Sequence, residues 1–391
     1  MRLSDFSDQV IRRIARSDPA RYVPKMARPR APITAGAAGI ALFLAEVARA
    51  TDGAVRERMA ERALAWITAA EQTHRHPRTA YGFPKTPFSR CFGGAGVFHG
   101  RAGVYTIAAR VASVRGDSEA LRAAASRFID SWRAASMRAD FPTEMFFGFA
   151  GFIHAARDFE AQGPALGSDL REALRAVGHE AHARVRESLA RLARRPLPRD
   201  TQLGYAHGLA GEIDAVLAWN PQPSPIVAAV LDQLLAIAVV EGELAAWPTH
   251  IGAEPGGALW ASWCNGMAGH VYLWCRAYEV FRDERYLNAA RLSAHTTALL
   301  YPANPTVCCG TAGQAYALYR YFQLTGDRTY RRRAIARARR ACAQAIAAPE
   351  LNLGYFNGLS GIAHLAFTIH TRRTPRLPLI DPVPRSDAAA R

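Results

Sequence analysis

Lysine is nearly missing from this chain. Of its 49 basic residues only Lys25 and Lys85 are lysines; with 33 acidic residues the formal charge is +16. An arginine-rich surface of this kind suits an acidic partner through long-range steering. Dispersed arginines are also what a coding bias against lysine writes. No nucleic-acid motif accompanies them, and no aromatics interleave clusters such as Arg331-Arg332-Arg333 to stack bases. These clusters read as solvated helix faces, and a nucleic-acid partner is not expected. Long apolar runs are absent as well. No stretch approaches the roughly 18 residues of a membrane span, and Met1 to Arg16 lacks the apolar core of a secretory signal. A cytoplasmic protein without a membrane span is the expectation. β-branched residues and period-two runs are sparse, whereas Ala, Leu and Arg abound, which favours helix over sheet. Six cysteines in 391 residues do not make a disulfide framework, so clustered cysteines point to metal or catalysis instead.

What the chain does have is a repeat. A Gly-x-x-Gly pattern recurs seven times, at Gly36/Gly39, Gly100/Gly103, Gly148/Gly151, Gly208/Gly211, Gly266/Gly269, Gly310/Gly313 and Gly358/Gly361. Each copy precedes an apolar helical stretch, and second helical patterns lie between copies at 53–73, 117–136, 168–194, 225–240, 284–300 and 327–347. Each repeat thus reads as helix, loop, Gly-x-x-Gly, helix, and one repeat-built domain is expected. Seven helix pairs can close into a double ring, an all-α α/α toroid. The first glycine is expected to allow positive φ and a close approach of the chain; the second lets inner helices approach. Residues 1–32 are expected to form a lead-in with a short amphipathic helix (Phe6, Val10, Ile11, Ile14), 33–370 the toroid, and 371–391 a Pro-rich tail that wraps the surface or is partly disordered. The long segments 75–98 and 241–260 are candidates for a rim around the mouth.

In such a ring the residues before each first glycine meet. Immediately before it stand Ala35, His99, Phe147, His207, Asn265, Cys309 and Asn357; one step earlier stand Thr34, Phe98, Phe146, Ala206, Cys264, Cys308 and Phe356. Metal-capable residues concentrate in copies four to six. Cys264, Cys308 and Cys309 form a three-thiolate set that suits zinc, with three protein ligands and an open fourth position as in catalytic sites; the alternative is three buried thiols. His207 can be a further ligand, an acid–base group or a helix-capping residue. His99 reads as structural. Cys275 and Cys342 sit in apolar helical patterns and read as inert core residues, and Cys91, in a long loop, has no assigned role.

Trp263-Cys264-Asn265-Gly266, Cys308-Cys309-Gly310 and Ala206-His207-Gly208-Leu209-Ala210-Gly211 together resemble the lanthionine synthetase C-like family, the cyclases of lanthipeptide biosynthesis, over about residues 33 to 370. The resemblance implies a toroid of seven inner and seven outer helices, with one zinc ion per chain at its mouth on Cys264, Cys308 and Cys309. Where the family usually has Cys-His-Gly, this chain has Cys308-Cys309-Gly310, similar to members with a three-cysteine site. It departs at two other places: Glu144 stands where an Asp is usual, and Trp260 where an arginine is often found. No spacing between copies exceeds 64 residues, which leaves no room for an accessory peptide-binding insertion.

The implied activity is addition of peptide cysteine thiols to dehydroalanine or dehydrobutyrine, forming (methyl)lanthionine rings in a ribosomally made precursor. His207 is then the expected acid–base residue and Glu144 its orienting or deprotonating carboxylate, the two together the catalytic set. Trp263 is expected to position substrate beside the site or simply to pack in the core. The implied partners are a dehydrated precursor peptide with a leader, an acidic one suiting the surface charge, and a separate dehydratase acting in trans. Two alternatives are addition of glutathione or another small thiol to dehydroamino acids, and a zinc-bound scaffold without catalysis. Other α/α toroids, such as terpene cyclases, want an Asp-rich metal motif that this sequence lacks.

Overall fold

The computed structural model describes residues 2–73, 76, 94–253 and 260–381. After a lead-in of α1 (Leu3–Arg16) and the short α2 (Pro19–Tyr22), helices alternate in pairs. They are α3 (Ala37–Arg49) and α4 (Gly53–Gln72), α5 (Arg101–Arg115) and α6 (Ser118–Ser136), α7 (Phe149–Glu160) and α8 (Ser168–Leu192). Then follow α9 (Leu209–Trp219) and α10 (Pro225–Ala236), α11 (Met267–Phe281) and α12 (Glu284–Leu299), α13 (Thr311–Thr325) and α14 (Arg328–Ile346), and finally α15 (Leu359–His370). The helices that follow a glycine motif pack side by side in the order α3, α5, α7, α9, α11, α13, α15, and α15 packs back on α3. This closed inner ring, with the other long helices outside it, is the α/α toroid. The six outer helices fall within the expected windows. The window 225–240 breaks early: α10 ends at Ala236, and Val239–Glu241 pairs antiparallel with Leu244–Ala246.

Among the described residues six inner helices are each followed by an outer one, and α15 is not. Its outer partner is α1, which packs on α15 and α14 and buries Phe6, Val10 and Ile14. The lead-in helix therefore completes the outer ring. At the other end of the chain Leu377, Leu379 and Ile380 are fully or nearly fully buried. The Pro375 carbonyl accepts from Gln323 Nε2 at 3.1 Å, and Asp381 Oδ2 accepts the Leu377 N–H at 2.8 Å. Residues 371–374 are exposed, but from Pro375 through Asp381 the tail is packed into the molecule.

Why glycine opens every inner helix is visible in the backbone. The N–H one residue after the first glycine donates to the carbonyl six residues before it in all seven copies: Ala37 to Arg30, Arg101 to Gly94, Phe149 to Pro142, Leu209 to Gln202, Met267 to Trp260, Thr311 to Asn304 and Leu359 to Asn352, at 2.6 to 3.0 Å. The loop thus folds back over the helix and satisfies a first-turn donor that no side chain caps. A Cβ on the first glycine would collide with that loop, as at Gly310, where it meets the Asn304 carbonyl. The expected positive φ is not found: the first glycines lie between −104° at Gly36 and −160° at Gly208. Space, not handedness, demands the residue. The second glycine is also a matter of space. A Cβ on Gly313 would overlap the Val307 carbonyl oxygen of its own loop and stand 2.9 Å from Trp263 Cβ of the preceding copy.

Two layers of inner-helix side chains lie below the loops. Six residues after the first glycine stand Leu42, Thr106, His154, Asp214, Tyr272, Tyr316 and His364; ten after it stand Glu46, Arg110, Asp158, Ala218, Arg276, Arg320 and Thr368. Arg110 pairs with both Glu46 and Asp158, Arg276 with Asp214, and Arg320 with Glu279. Buried charge is tolerable only when paired, and here the pairs tie neighbouring inner helices together.

Candidate functional site

The site begins as a backbone ring. Phe146 N donates to Ala206 O, Ala206 N to Cys264 O, Cys264 N to Cys308 O, Cys308 N to Phe356 O and Phe356 N to Thr34 O, at 2.8 to 3.3 Å. All of these residues stand two before a first glycine, so equivalent places in consecutive copies are hydrogen-bonded to one another. That register brings Cys264 of the fifth copy beside Cys308 and Cys309 of the sixth. The Cys264 and Cys309 sulfurs are 3.6 Å apart, and the three sulfurs lie within 4.8 Å of one another. No disulfide joins them. Zinc with sulfur ligands at about 2.3 Å in a tetrahedron sets sulfurs about 3.8 Å apart, so the donor set and its spacing fit that ion. Cys264 and Cys308 are buried and Cys309 is partly exposed, which leaves an approach from the mouth.

Ser262 and Asn265 support the first cysteine. Ser262 Oγ is 3.4 Å from the Cys264 sulfur and accepts the Asn265 N–H at 3.1 Å, while Asn265 Nδ2 reaches toward that sulfur at 3.8 Å. Hydrogen bonds from Cys308 and Cys309 hold the Cys264 thiol well below its ordinary range, with Ser262 helping against burial. The same contact with Cys264 pushes the Cys309 thiol up to about 12 and holds the Cys308 thiol well above its ordinary range. The shared hydrogen bonds favour a single thiolate among the three, and ionising all three would call for a cation between them.

His207 and Glu144 come together as expected. His207 Nδ1 is 2.8 Å from Glu144 Oε2, although 63 residues separate them in sequence. The carboxylate also accepts the Phe146 N–H at 3.1 Å and the Phe147 N–H at 2.5 Å. Three donors therefore fix its orientation. Burial opposes a charged His207, but the hydrogen bond and charge of Glu144, with a smaller contribution from Cys264, more than offset it and raise its pKa. The imidazole is aligned with the Phe147 ring at 5.6 Å and 22° and tilted against Phe146 at 5.2 Å. His99 closes on the far side of Phe147 at 5.2 Å, with Nδ1 3.0 Å from Thr34 Oγ1. Phe147 thus separates two histidines that the ring reading placed at equivalent positions, and its role as a wall for His207 was missed. The signal was present: Phe147 occupies the same place before glycine as His207 and Cys309.

Trp263 is fully buried. It packs against Tyr205, Phe146 and Phe356 at 5.1 to 6.0 Å, in an aromatic floor that Phe98 completes by stacking on Phe146 at 5.2 Å. The core-packing alternative for Trp263 is what the geometry favours: it props the Cys264 loop from below. Trp260 is half-buried, and its backbone carbonyl accepts the Met267 N–H. Burial pushes the Cys275 and Cys342 thiols up to about 12, as suits core residues remote from the trio. Cys91 lies outside the described residues, as do most of 75–98 and residues 254–259 of the expected rim.

Among solved structures the chain is similar to nisin cyclase, with a TM-score of 0.66 and 13% sequence identity over 95% of this chain and 94% of that one. At that identity the likeness establishes the fold. The model of the family described as lanthionine synthetase C-like protein matches residues 31–381, nearly the whole described toroid. By that match the chain belongs to the lanthionine synthetase C-like family.

Proposed function

We propose that this protein is a zinc-dependent cyclase that adds peptide cysteine thiols to dehydroalanine or dehydrobutyrine in a precursor peptide. The observation that carries the reading is the meeting, at one mouth, of a three-thiol donor set with a histidine–glutamate pair. Cys264, Cys308 and Cys309 would hold the zinc, and Asn265 and Ser262 would keep Cys264 in place. Zinc bound there supplies a Lewis acid that lowers the pKa of an incoming thiol and presents it as a nucleophile.

The remaining chemistry falls to the chain's own side chains. In the reaction the thiol gives up its S–H proton to solvent, a sulfur–carbon bond forms at the β-carbon and the carbon–carbon π bond breaks. Its electron pair moves toward the α-carbon and neighbouring carbonyl, and a proton must then reach the α-carbon. Glu144 on Nδ1 leaves Nε2 of His207 as the transferring atom, and the pKa that the carboxylate raises favours the protonated ring. The protonated ring also places positive charge where negative charge develops. Phe147 lies along one face of the ring and Phe146 packs tilted against it, which together hold the ring plane. The dehydratase that makes the substrate is taken to be a separate protein, and an acidic leader would suit the basic surface.

The test is mass spectrometry on a dehydrated, cysteine-containing peptide with and without glutathione. Ring formation blocks thiol alkylation and leaves the peptide mass unchanged. A mass increase by one glutathione would favour the small-thiol alternative. No reaction from a protein shown to carry one zinc would leave the scaffold reading. In a further arm, Cys264→Ala and Cys309→Ala should each lose the zinc; retention in either overturns the assigned ligand set.

A further inference from the structure

Four residues after each first glycine the repeat places Ile40, Val104, Phe152, Glu212, His270, Gln314 and Ile362. Four copies use apolar residues there, and Glu212 is the one carboxyl. It stands on the first turn of α9 and is only 7% exposed. Its Oε1 accepts from Thr143 Oγ1 at 2.9 Å, and its Oε2 is buried with no hydrogen-bond partner among the described residues. A half-satisfied buried carboxyl is costly, and the repeat shows that packing alone is met here by Ile, Val or Phe.

Its location gives the cost a purpose. Thr143 directly precedes Glu144, and Glu212 lies five residues after His207 on the same loop and helix. Two hydrogen bonds, Thr143 to Glu212 and His207 to Glu144, therefore clamp the third and fourth motif loops together at both ends. We propose that Glu212 is a positioning residue: acting through Thr143, it sets the Glu144 carboxylate against His207 Nδ1. Burial, with the nearby Glu144 carboxylate adding to it against the Thr143 hydrogen bond, pushes the Glu212 carboxyl up to about 7, in keeping with a side chain that works in its protonated form. Among the groups facing it, Glu144 is the charged one that acts on it. The inference rests on the acid–base reading of His207.

The experiment uses the zinc-loaded full chain with Glu212→Gln, Glu212→Ala and Thr143→Val. Two quantities are read in each: the pH profile of peptide cyclisation and the NMR titration of the His207 imidazole. Gln reproduces a neutral carboxyl, so it should keep kcat within about threefold and leave the His207 titration in place, while Ala and Val should each lower kcat on the order of tenfold with little change in KM. In those two the His207 titration and the alkaline limb should move together to lower pH, because Glu144 loosens its hold. Thr143→Val removes one hydroxyl and serves if the Ala variant does not fold. A Gln variant as impaired as Ala, or Ala and Val variants matching wild type in both readouts, overturns the proposal. If the wild type itself cyclises nothing, the proposed function fails, and the titration alone still decides the clamp.

Discussion

At the scale of single residues the site turns on how each proton is held. His207 is held above its ordinary range by Glu144. Its folded-state charge therefore adds stability that is present below the ordinary histidine range and lost as pH rises through the raised value. In Glu144→Gln the raising partner is gone and burial remains, so the imidazole should titrate lower. The alkaline limb of kcat/KM should then move toward acid, and the rate at neutral pH should fall on the order of tenfold or more. An unmoved limb would remove His207 from the acid role. Glu212 has a separate signature in stability. With its carboxyl raised from 4.5 to about 7, the unfolded chain releases that proton first. The associated stability is full below 4.5 and lost as pH rises through 7, an upper figure of about 3 kcal/mol at 1.4 kcal/mol per unit. Urea unfolding across that window should show the loss in wild type and its absence in Glu212→Gln; parallel curves would mean the carboxyl is not titrating there.

At the scale of the element, the unit is the loop that folds back over each inner helix. Seven equivalent backbone hydrogen bonds depend on glycine for space, not for positive φ. Gly313→Ala should therefore cost about 3 kcal/mol through forced backbone displacement, measured by urea denaturation, and should lower zinc content because Val307 adjoins Cys308. Gly116 is the control. It caps α5 at φ +69° with open space around the missing Cβ, so Gly116→Ala should cost only about 1 kcal/mol of left-handed strain and leave zinc unchanged. Equal costs at the two positions would refute the spatial account. The loops were legible from the glycines and the apolar runs behind them. The fold-back hydrogen bond was not, because a backbone contact between residues seven apart leaves no side-chain signature. The mostly polar residues six and ten after the first glycines were likewise open to reading, yet a lone Arg or His on an apolar helix looks like an exception until seven copies are aligned.

At the scale of the whole molecule the lead-in helix and the segment through Asp381 are both packed into the toroid. The helix α1 serves as the outer partner of α15, and the tail to Asp381 packs beside Gln323 and Arg320. Because Phe6 is buried in that seam, Phe6→Ala should lower stability by about 3 kcal/mol in urea unfolding while zinc binding by the distant cysteines persists. A variant of unchanged stability would make α1 an appendage. The sequence by itself determined the repeat, the number of inner helices, the all-α class and which three cysteines occupy equivalent places, because period and residue type are local properties. Only the tertiary structure decided that the cysteine sulfurs converge, that Glu144 reaches His207, that Trp263 is floor and not wall, and that the lead-in helix completes the ring. Each of these depends on which copies become neighbours when the ring closes, and that is settled by packing and backbone register between segments far apart in the chain.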